Sequence, residues 1–379
     1  ERVAQEQPRV AGQQARARHS MQRGLRRLYL LDVGGSDLEA LARVCRTEPG
    51  VEYCEPDRPM AAFFLPNDPY LATAGRWGQP FDDLWGVKRI DAPTAWDTNR
   101  GTGVVVAVVD TGVDYTHPDL AANAWTNPGE IPGNDLDDDG NGYVDDVYGW
   151  NFTNDDPDPM DDHFHGTHVA GTIAAVGGNG RGVVGVAFES RIMAVKGLDR
   201  FGSGAISALF AAIVYAVDNG ADVINASWGG AGRSQALDDA VAYAHDVGVV
   251  FVAAAGNWAA DAAGFTPANS PGAVVVAASD HLDVPATFSN FGITIDVTAP
   301  GGGDAPPPPE VRLPVYSVLS LRSSQANTNA FDGGLVVDGD YLRLAGTSMA
   351  SPHVAGVAAL VRAVHPELGV EDVRQVLRS

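Results

Sequence analysis

A chain of 379 residues with 45% hydrophobic content is long enough for one large domain and a smaller one. Its formal net charge is −23, and the excess is uneven: residues 1–65 hold ten Arg and nine acids, while residues 66–379 carry 15 Lys plus Arg against 39 acids. Such a body repels nucleic acid and anionic membranes, and its apolar runs, Val104 to Val109 among them, are all too short to cross a bilayer, so neither is expected as a partner.

Residues 1–27, rich in Arg, Gln and Ala without an apolar period, are expected to form a flexible basic lead, and they show no charged-then-apolar leader pattern. LYLLDV (28–33) suits a strand, and Ser36-Asp37-Leu38-Glu39 reads as a capping box opening a helix with the stripe Leu38, Leu41, Ala42, Cys45. Pro49-Gly50 then turns the chain into a second strand, VEYCE (51–55). These features predict a small αβ unit over residues 28–58, followed by a connector and arm over 59–84. Both cysteines, Cys45 and Cys54, fall in this unit, so no disulfide staples the rest. Two buried free thiols are the expectation for the pair, with a bridge left open.

From about residue 85 continuous apolar runs alternate with helical stretches. VVVAVV (104–109), RIMAVKGL (191–198), ADVINASW (221–228), VVFVAAAG (249–256) and AVVVAAS (273–279) read as strands buried on both faces. SALFAAIVYAVDNG (207–220) and SQALDDAVAYAHDVG (234–248) read as helices that end in Gly. The alternation predicts an α/β fold over 85–379: a doubly wound, mostly parallel sheet flanked by helices. GGGDAPPPPE (301–310) is expected as a surface loop and the polar stretch to Asp340 as an insertion. The chain opens at Glu1 and stops within an amphipathic pattern marked by Val370, Val373, Val376 and Leu377, so the native protein is expected to extend further.

Functional groups of an open α/β sheet gather at the carboxyl ends of its strands. Asp110 follows VVVAVV directly and Asn257 follows VVFVAAAG; each is also a plausible turn residue. HFHGTHVAGTIAAV (163–176) brings three histidines, His163, His165 and His168, whose spacing lacks the i, i+4 pair and further ligand of a zinc site. In AGTSMASPHVAG (345–356) a serine sits among small residues at a helix start. As packing, Gly346, Ala350, Ala355 and Gly356 allow a close helix contact; as chemistry, backbone N–H groups beside Ser348 suit a nucleophile whose product is an oxyanion.

Together, VVDTGVDYTHPDL, HGTHVAGTIAA, AAAGN and GTSMASPHVAG resemble the signature segments of subtilisin-type serine proteases, in that family's order of Asp, His, Asn, Ser. The similarity runs from about Leu84 to the end of the chain. It implies Ser348 as nucleophile, His165 as general base, Asp110 as its orienting carboxylate and Asn257 as an oxyanion donor beside the Ser348 N–H. It further implies Ser227, Trp228 and Gly229 as a wall of the pocket for the residue before the scissile bond, and Gly202, Ser203 and Gly204 as an edge that pairs with extended substrate. Two departures stand out. Phe164 precedes His165 where the family usually has Gly or Ser, and Phe265 falls where a small residue often floors the pocket. LEALARVCRTEPGVEYCEPDRPM resembles the end of a subtilase prodomain, which would act as an intramolecular inhibitor cut from the enzyme near Met60 to Leu65.

DLDDDGNGYVDD (135–146) places oxygen-bearing residues at the spacing of an EF-hand-like calcium loop: Asp135, Asp137, Asp139, the Asn141 carbonyl and Asp146. Asp146 stands where Glu is usual, and similar loops occur in calcium-binding subtilases. The expectation is therefore a secreted, monomeric, calcium-stabilised serine endopeptidase acting on polypeptides. The competing reading, a non-catalytic peptide-binding or inhibitory relative, has no need for Asp110, His165, Ser348 and Asn257 together.

Overall fold

The computed structural model describes residues 37–57, 65–303, 316–326 and 334–379 in full, and residues 9–10, 13–14, 16–19 and 29–32 by their backbone. The chain divides into two compact units, residues 1–63 and 64–379.

The large unit is built on seven strands: β1 Val105–Asp110, β2 Gly149–Asn151, β3 Arg191–Lys196, β4 Val223–Ala226, β5 Val250–Ala254, β6 Val274–Ser279 and β7 Val297–Pro300. Their lateral order is β7-β6-β5-β4-β1-β3-β2, and every neighbouring pair is parallel. Five of the seven are the apolar runs read from sequence. The other two, GWN and VTAP at the edges, are too short to show a period.

Four helices explain why the runs are apolar throughout. Val106 and Val108 of β1 face one core with α1 (His165–Ala174) and α4 (Thr347–Val364). Ala107 and Val109 face a second core with α2 (Ile206–Asp218) and α3 (Gln235–Val247). Successive side chains point to opposite faces, so a strand covered on both sides has no polar face. The helix ends follow local chemistry: the Ser234 hydroxyl accepts the Leu237 N–H at the start of α3, and Gly248 closes it at φ 98°. In α4, a Cβ on Gly356 would lie 2.6 Å from the Val186 Cβ, so only glycine allows that approach. The final helix, α5 (Val370–Arg378), buries Val370 and Val373 as its pattern predicts. Among the described residues no helix is long and apolar enough to cross a membrane.

The stretch expected as an insertion contributes a small antiparallel sheet, Val318–Leu321 with Tyr341–Leu344 and then Val336–Val337. Leu321 and Leu342 are fully buried in it. It also reaches α1, where Ser320 Oγ donates to the His168 carbonyl at 2.7 Å. Most of GGGDAPPPPE lies outside the described residues.

In the small unit, strand Arg16–His19 pairs antiparallel with Tyr29–Asp32, and Arg9–Val10 with Gln13–Gln14. The lead over 1–27 is therefore not irregular throughout, because the strand expected in LYLLDV needs a partner for its backbone groups. The helix Leu38–Cys45 forms, capped by Asp37. The second strand, VEYCE, does not. Cys45 and Cys54 are instead joined in a disulfide, with Cα atoms 6.0 Å apart, and Arg46 Nε donates to the Cys54 carbonyl at 2.8 Å. The segment is thus tied back to the helix end rather than extended along a neighbour, and the free-thiol expectation is overturned. Residues 64–84 belong to the large unit, where Tyr70, Leu71 and Leu84 enter the first core; residues 58–64 of the connector lie outside the described residues.

Candidate active site

The order in which strands are added switches sides at β1, with β3 on one side and β4 on the other. Residues at the carboxyl ends of these strands face one crevice. Asp110 ends β1 and is fully buried; its Oδ1 accepts the Thr111 N–H and lies 2.7 Å from His165 Nδ1. A carboxylate only accepts, so the His165 proton sits on Nδ1 and Nε2 is left as the basic nitrogen. Burial opposes protonation of His165, but the Asp110 charge and hydrogen bond overcome it and hold the imidazole above the ordinary histidine value. His165 can stand this close because α1 starts against the loop after β1: a Cβ on Gly166 would lie 2.0 Å from the Gly112 carbonyl oxygen.

His168, one turn on, is a core residue with Nε2 3.1 Å from the Val318 carbonyl, and burial pushes its pKa down to about 3. His163 stacks on Phe164 at 3.8 Å. The three histidines therefore point to separate tasks and do not assemble a zinc site.

Ser348 is the second residue of α4, so its N–H has no partner one turn back within the helix. Its carbonyl is also released, because Pro352, four residues on, has no N–H to give it. Ser227 Oγ fills that place at 2.9 Å, and Ser348 Oγ donates to the Ser227 carbonyl at 2.9 Å. Val108 is level with Asn225 in the β1–β4 ladder, and Asp110 and Ser227 each follow that pair by two residues, Asp110 ending β1 and Ser227 just past the end of β4. Asn225 completes the brace. It donates to Ser227 Oγ (2.9 Å) and accepts from Ser351 Oγ (2.8 Å), both buried. Sequence reading missed Asn225, although a lone Asn inside an apolar strand was its signal.

Asn257, beyond the end of β5, has its Oδ1 held by the Thr347 N–H (2.8 Å) and Thr347 Oγ1 (2.9 Å). That fixes the amide at the head of α4 with Nδ2 as its remaining donor. A hydroxyl, an imidazole backed by a carboxylate, and two N–H donors at a helix start suit attack on a carbonyl and stabilisation of the resulting oxyanion.

Around these groups, Trp228 is half-buried: Nε1 donates to the Val109 carbonyl at 2.8 Å and the ring packs on the second core. Trp228 is thus tied to the end of β1. Gly230–Ala231 pairs antiparallel with Phe265–Thr266. The Phe265 ring is stacked on Trp258, next to Asn257, at 4.6 Å between centroids; Trp258 was not anticipated. Gly202, Ser203 and Gly204 are exposed in a turn whose Phe201 and Ser203 N–H groups are held by the Asp199 carboxylate.

In the acidic loop, Asp137 and Asp139 come together with Glu130, their oxygens mutually within 4.8 Å. Glu130 precedes the loop motif and was missed. Asp146 lies beside this group: Asn127 and Asn141 amides bridge its fully buried carboxylate to Asp139. Asp135 is turned otherwise, at φ 59°, with its N–H on Asp145, and lies outside the group. An all-oxygen donor set of this kind fits a hard cation such as calcium.

A second acidic pair lies in the buried part of the large unit. Asp68 and Asp119 are both fully buried; Asp119 accepts from Asn179 Nδ2 (2.6 Å), and Asp68 Oδ2 from the Gly178 N–H (2.7 Å). Asp68 Oδ1 is buried without a hydrogen bond. Burial, above all, raises both carboxyls. No sequence spacing could reveal this pair, since three distant segments build it.

The family model described as "Subtilase family" matches residues 101–379. The chain is 38% identical over 333 residues to a thermophilic serine proteinase of Bacillus sp. (strain AK1), covering 88% of this chain and 68% of that one. It is likewise 38% identical over 298 residues to thermitase of Thermoactinomyces vulgaris, covering 79% and 85%. An extracellular protease of Xanthomonas campestris pv. campestris is 36% identical over 348 residues, 87% of this chain and 55% of that one. A solved protease from Pseudoalteromonas arctica matches at 35% identity and a TM-score of 0.63, over 83% of this chain and 91% of that one. Sheet, motif order and family match agree: the chain belongs to the subtilase family and is a subtilisin-like serine endopeptidase.

Proposed function

We propose that Ser348, His165 and Asp110 hydrolyse peptide bonds through an acyl-enzyme. The observation that carries the assignment is the 2.7 Å contact between His165 Nδ1 and buried Asp110 at the end of β1, with a helix-start serine hydrogen-bonded to Ser227 just past the neighbouring strand β4. Ser348 Oγ turns from the Ser227 carbonyl toward His165 Nε2, gives it the proton and attacks the scissile carbonyl carbon. The oxyanion is received by Asn257 Nδ2 and the Ser348 N–H. His165 then protonates the leaving amine, and a water, deprotonated by the same nitrogen, releases the acid and restores Ser348. Asp110 holds the imidazole and stabilises its cation throughout. Ser348→Ala should abolish peptidase activity and fluorophosphonate labelling with the fold retained by circular dichroism; unchanged proteolysis would sink the assignment.

Substrate side chains before the scissile bond are apolar on this reading, set between the Gly229-Gly230 backbone and the Phe265–Trp258 stack. Calcium has a structural role: Glu130, Asp137 and Asp139, with Asp146 beside them, would hold one ion, and Asp68, Asp119 and Asn179 another. Each ion would supply positive charge to carboxylates that otherwise repel one another. Secretion is supported by the acidic body, the Cys45–Cys54 disulfide and the extracellular relative. The small unit, read over residues 28–58, serves as the prodomain of a monomeric zymogen.

A further inference from the structure

Asp161 lies four residues before His165, in the loop that leads into α1, and is fully buried. Its Oδ1 accepts from Thr111 Oγ1 (2.9 Å) and the His163 N–H (3.0 Å); its Oδ2 accepts from the Thr167 N–H (2.9 Å) and Thr167 Oγ1 (2.6 Å). These partners belong to the two catalytic elements. Thr111 follows Asp110, gives Asp110 its N–H at 2.7 Å and accepts the Gly166 N–H at 3.0 Å. Thr167 lies two residues after His165 and accepts the Asp114 N–H at 2.9 Å. One carboxylate therefore clamps the end of β1 to the start of α1.

All four partners donate, which an acceptor-only carboxylate satisfies and an amide does not. The charge is expensive to bury, and burial pushes the Asp161 carboxyl up to about 6 despite those bonds. The titratable and charged groups on the segments it joins and beside them are Asp110 at the end of β1 and Asp114 beyond it, His165 and His168 on α1, Lys196 at the end of β3, and Asp162 and His163 on its own loop. Lys196 Nζ is committed to the Thr111 carbonyl (2.5 Å) and Asp162 (2.7 Å). Burial pushes His163 and His168 down, so they are neutral near pH 7. Among the described residues no direct cation cancels the Asp161 charge, and it adds to that of Asp110 in favouring protonated His165.

We propose that Asp161 is a positioning residue for the catalytic pair: it fixes Asp110 against His165, and its negative charge helps stabilise the imidazolium. The inference rests on the assignment of Asp110, His165 and Ser348 above. The test uses Asp161→Asn in the full chain, with active sites counted by fluorophosphonate titration and kcat/KM on a peptide substrate measured against pH. We expect kcat to fall by about tenfold or more with KM little changed, since displaced catalytic groups cost rate rather than binding. The acid limb should move to lower pH, because removing a negative charge makes His165 easier to deprotonate. Thr167→Val breaks part of the same clamp but keeps the charge, so it should lower kcat while leaving the acid limb in place. An unmoved limb in folded Asp161→Asn overturns the proposal whatever its kcat. Should that variant not fold, Thr111→Val and Thr167→Val decide, and an unchanged kcat in both overturns it. Absence of labelling in the unmodified enzyme refutes the catalytic assignment itself, and the proposal with it; labelling with an unmoved limb refutes the proposal alone.

Discussion

At Ser348 one missing proton organises a nucleophile. Pro352 cannot donate to the Ser348 carbonyl, Ser227 takes its place, and Asn225 holds Ser227 from inside the sheet. The serine, threonine and proline of GTSMASP were visible in the sequence as an uncrowded helix start; that Ser227 fills the backbone gap was not, because it comes from a distant segment just past the end of β4. His165 carries a prediction at this scale. Catalysis needs the neutral imidazole, and Asp110 raises its affinity for a proton, so the acid limb of kcat/KM should lie above the ordinary histidine value of about 6.5. Asp110→Asn removes the charge that raises it, and its residual activity should show a limb displaced to lower pH; a pH–rate profile of both enzymes checks this. A limb that stays put would mean that another group governs the acid side.

Among the elements, α4 shows how composition sets distance. Ala350, Ala355 and Gly356 are fully or nearly fully buried, and Val186 packs where a side chain on residue 356 would stand. Gly356→Val should overpack the contact and cost about 1–3 kcal/mol, read as a lower urea midpoint with the m-value unchanged. A midpoint within error of the parent would show that α4 can shift without strain. The helices were legible because amphipathic stretches end in glycine, and the central strands because both faces are apolar. Edge strands GWN and VTAP were not, and VEYCE was misread as a strand. Its alternation is local, whereas its partner, the Cys45 sulfur nine residues earlier, is a choice of the fold.

On the scale of the whole molecule, charge is the dominant fact. Acids clustered at Glu130, Asp137, Asp139 and Asp146, and the buried pair Asp68 and Asp119, are held close at a cost that a bound cation would remove. Chelation should lower the melting temperature and open the loop over residues 130–146 to self-cleavage, and excess calcium should restore both. Melting curves and fragment mapping with and without chelator test it; identical results would rule out structural calcium. A tethered inhibitor faces its target at a high effective concentration, so even modest affinity would keep the small unit bound. Incubated enzyme should therefore acquire a new N-terminus between residues 60 and 70, and the Ser348→Ala protein should not. N-terminal sequencing reads this out, and fully active enzyme still beginning at Glu1 would refute the prodomain assignment.

The sequence by itself determined the alternation of buried strands and helices, the family, and the candidates Asp110, His165, Asn257 and Ser348, because each is written in local periodicity or in a contiguous motif. Only the tertiary structure decided what joins them. Asn225 behind Ser227, Asp161 between Thr111 and Thr167, Trp258 on Phe265, Glu130 beside Asp137 and Asp139, and the Cys45–Cys54 bridge all arise where segments far apart or differently oriented in the chain meet. Burial then gives these groups their energies: a carboxylate, an indole or a carbonyl withdrawn from water must find its partner in whichever element the fold brings within reach.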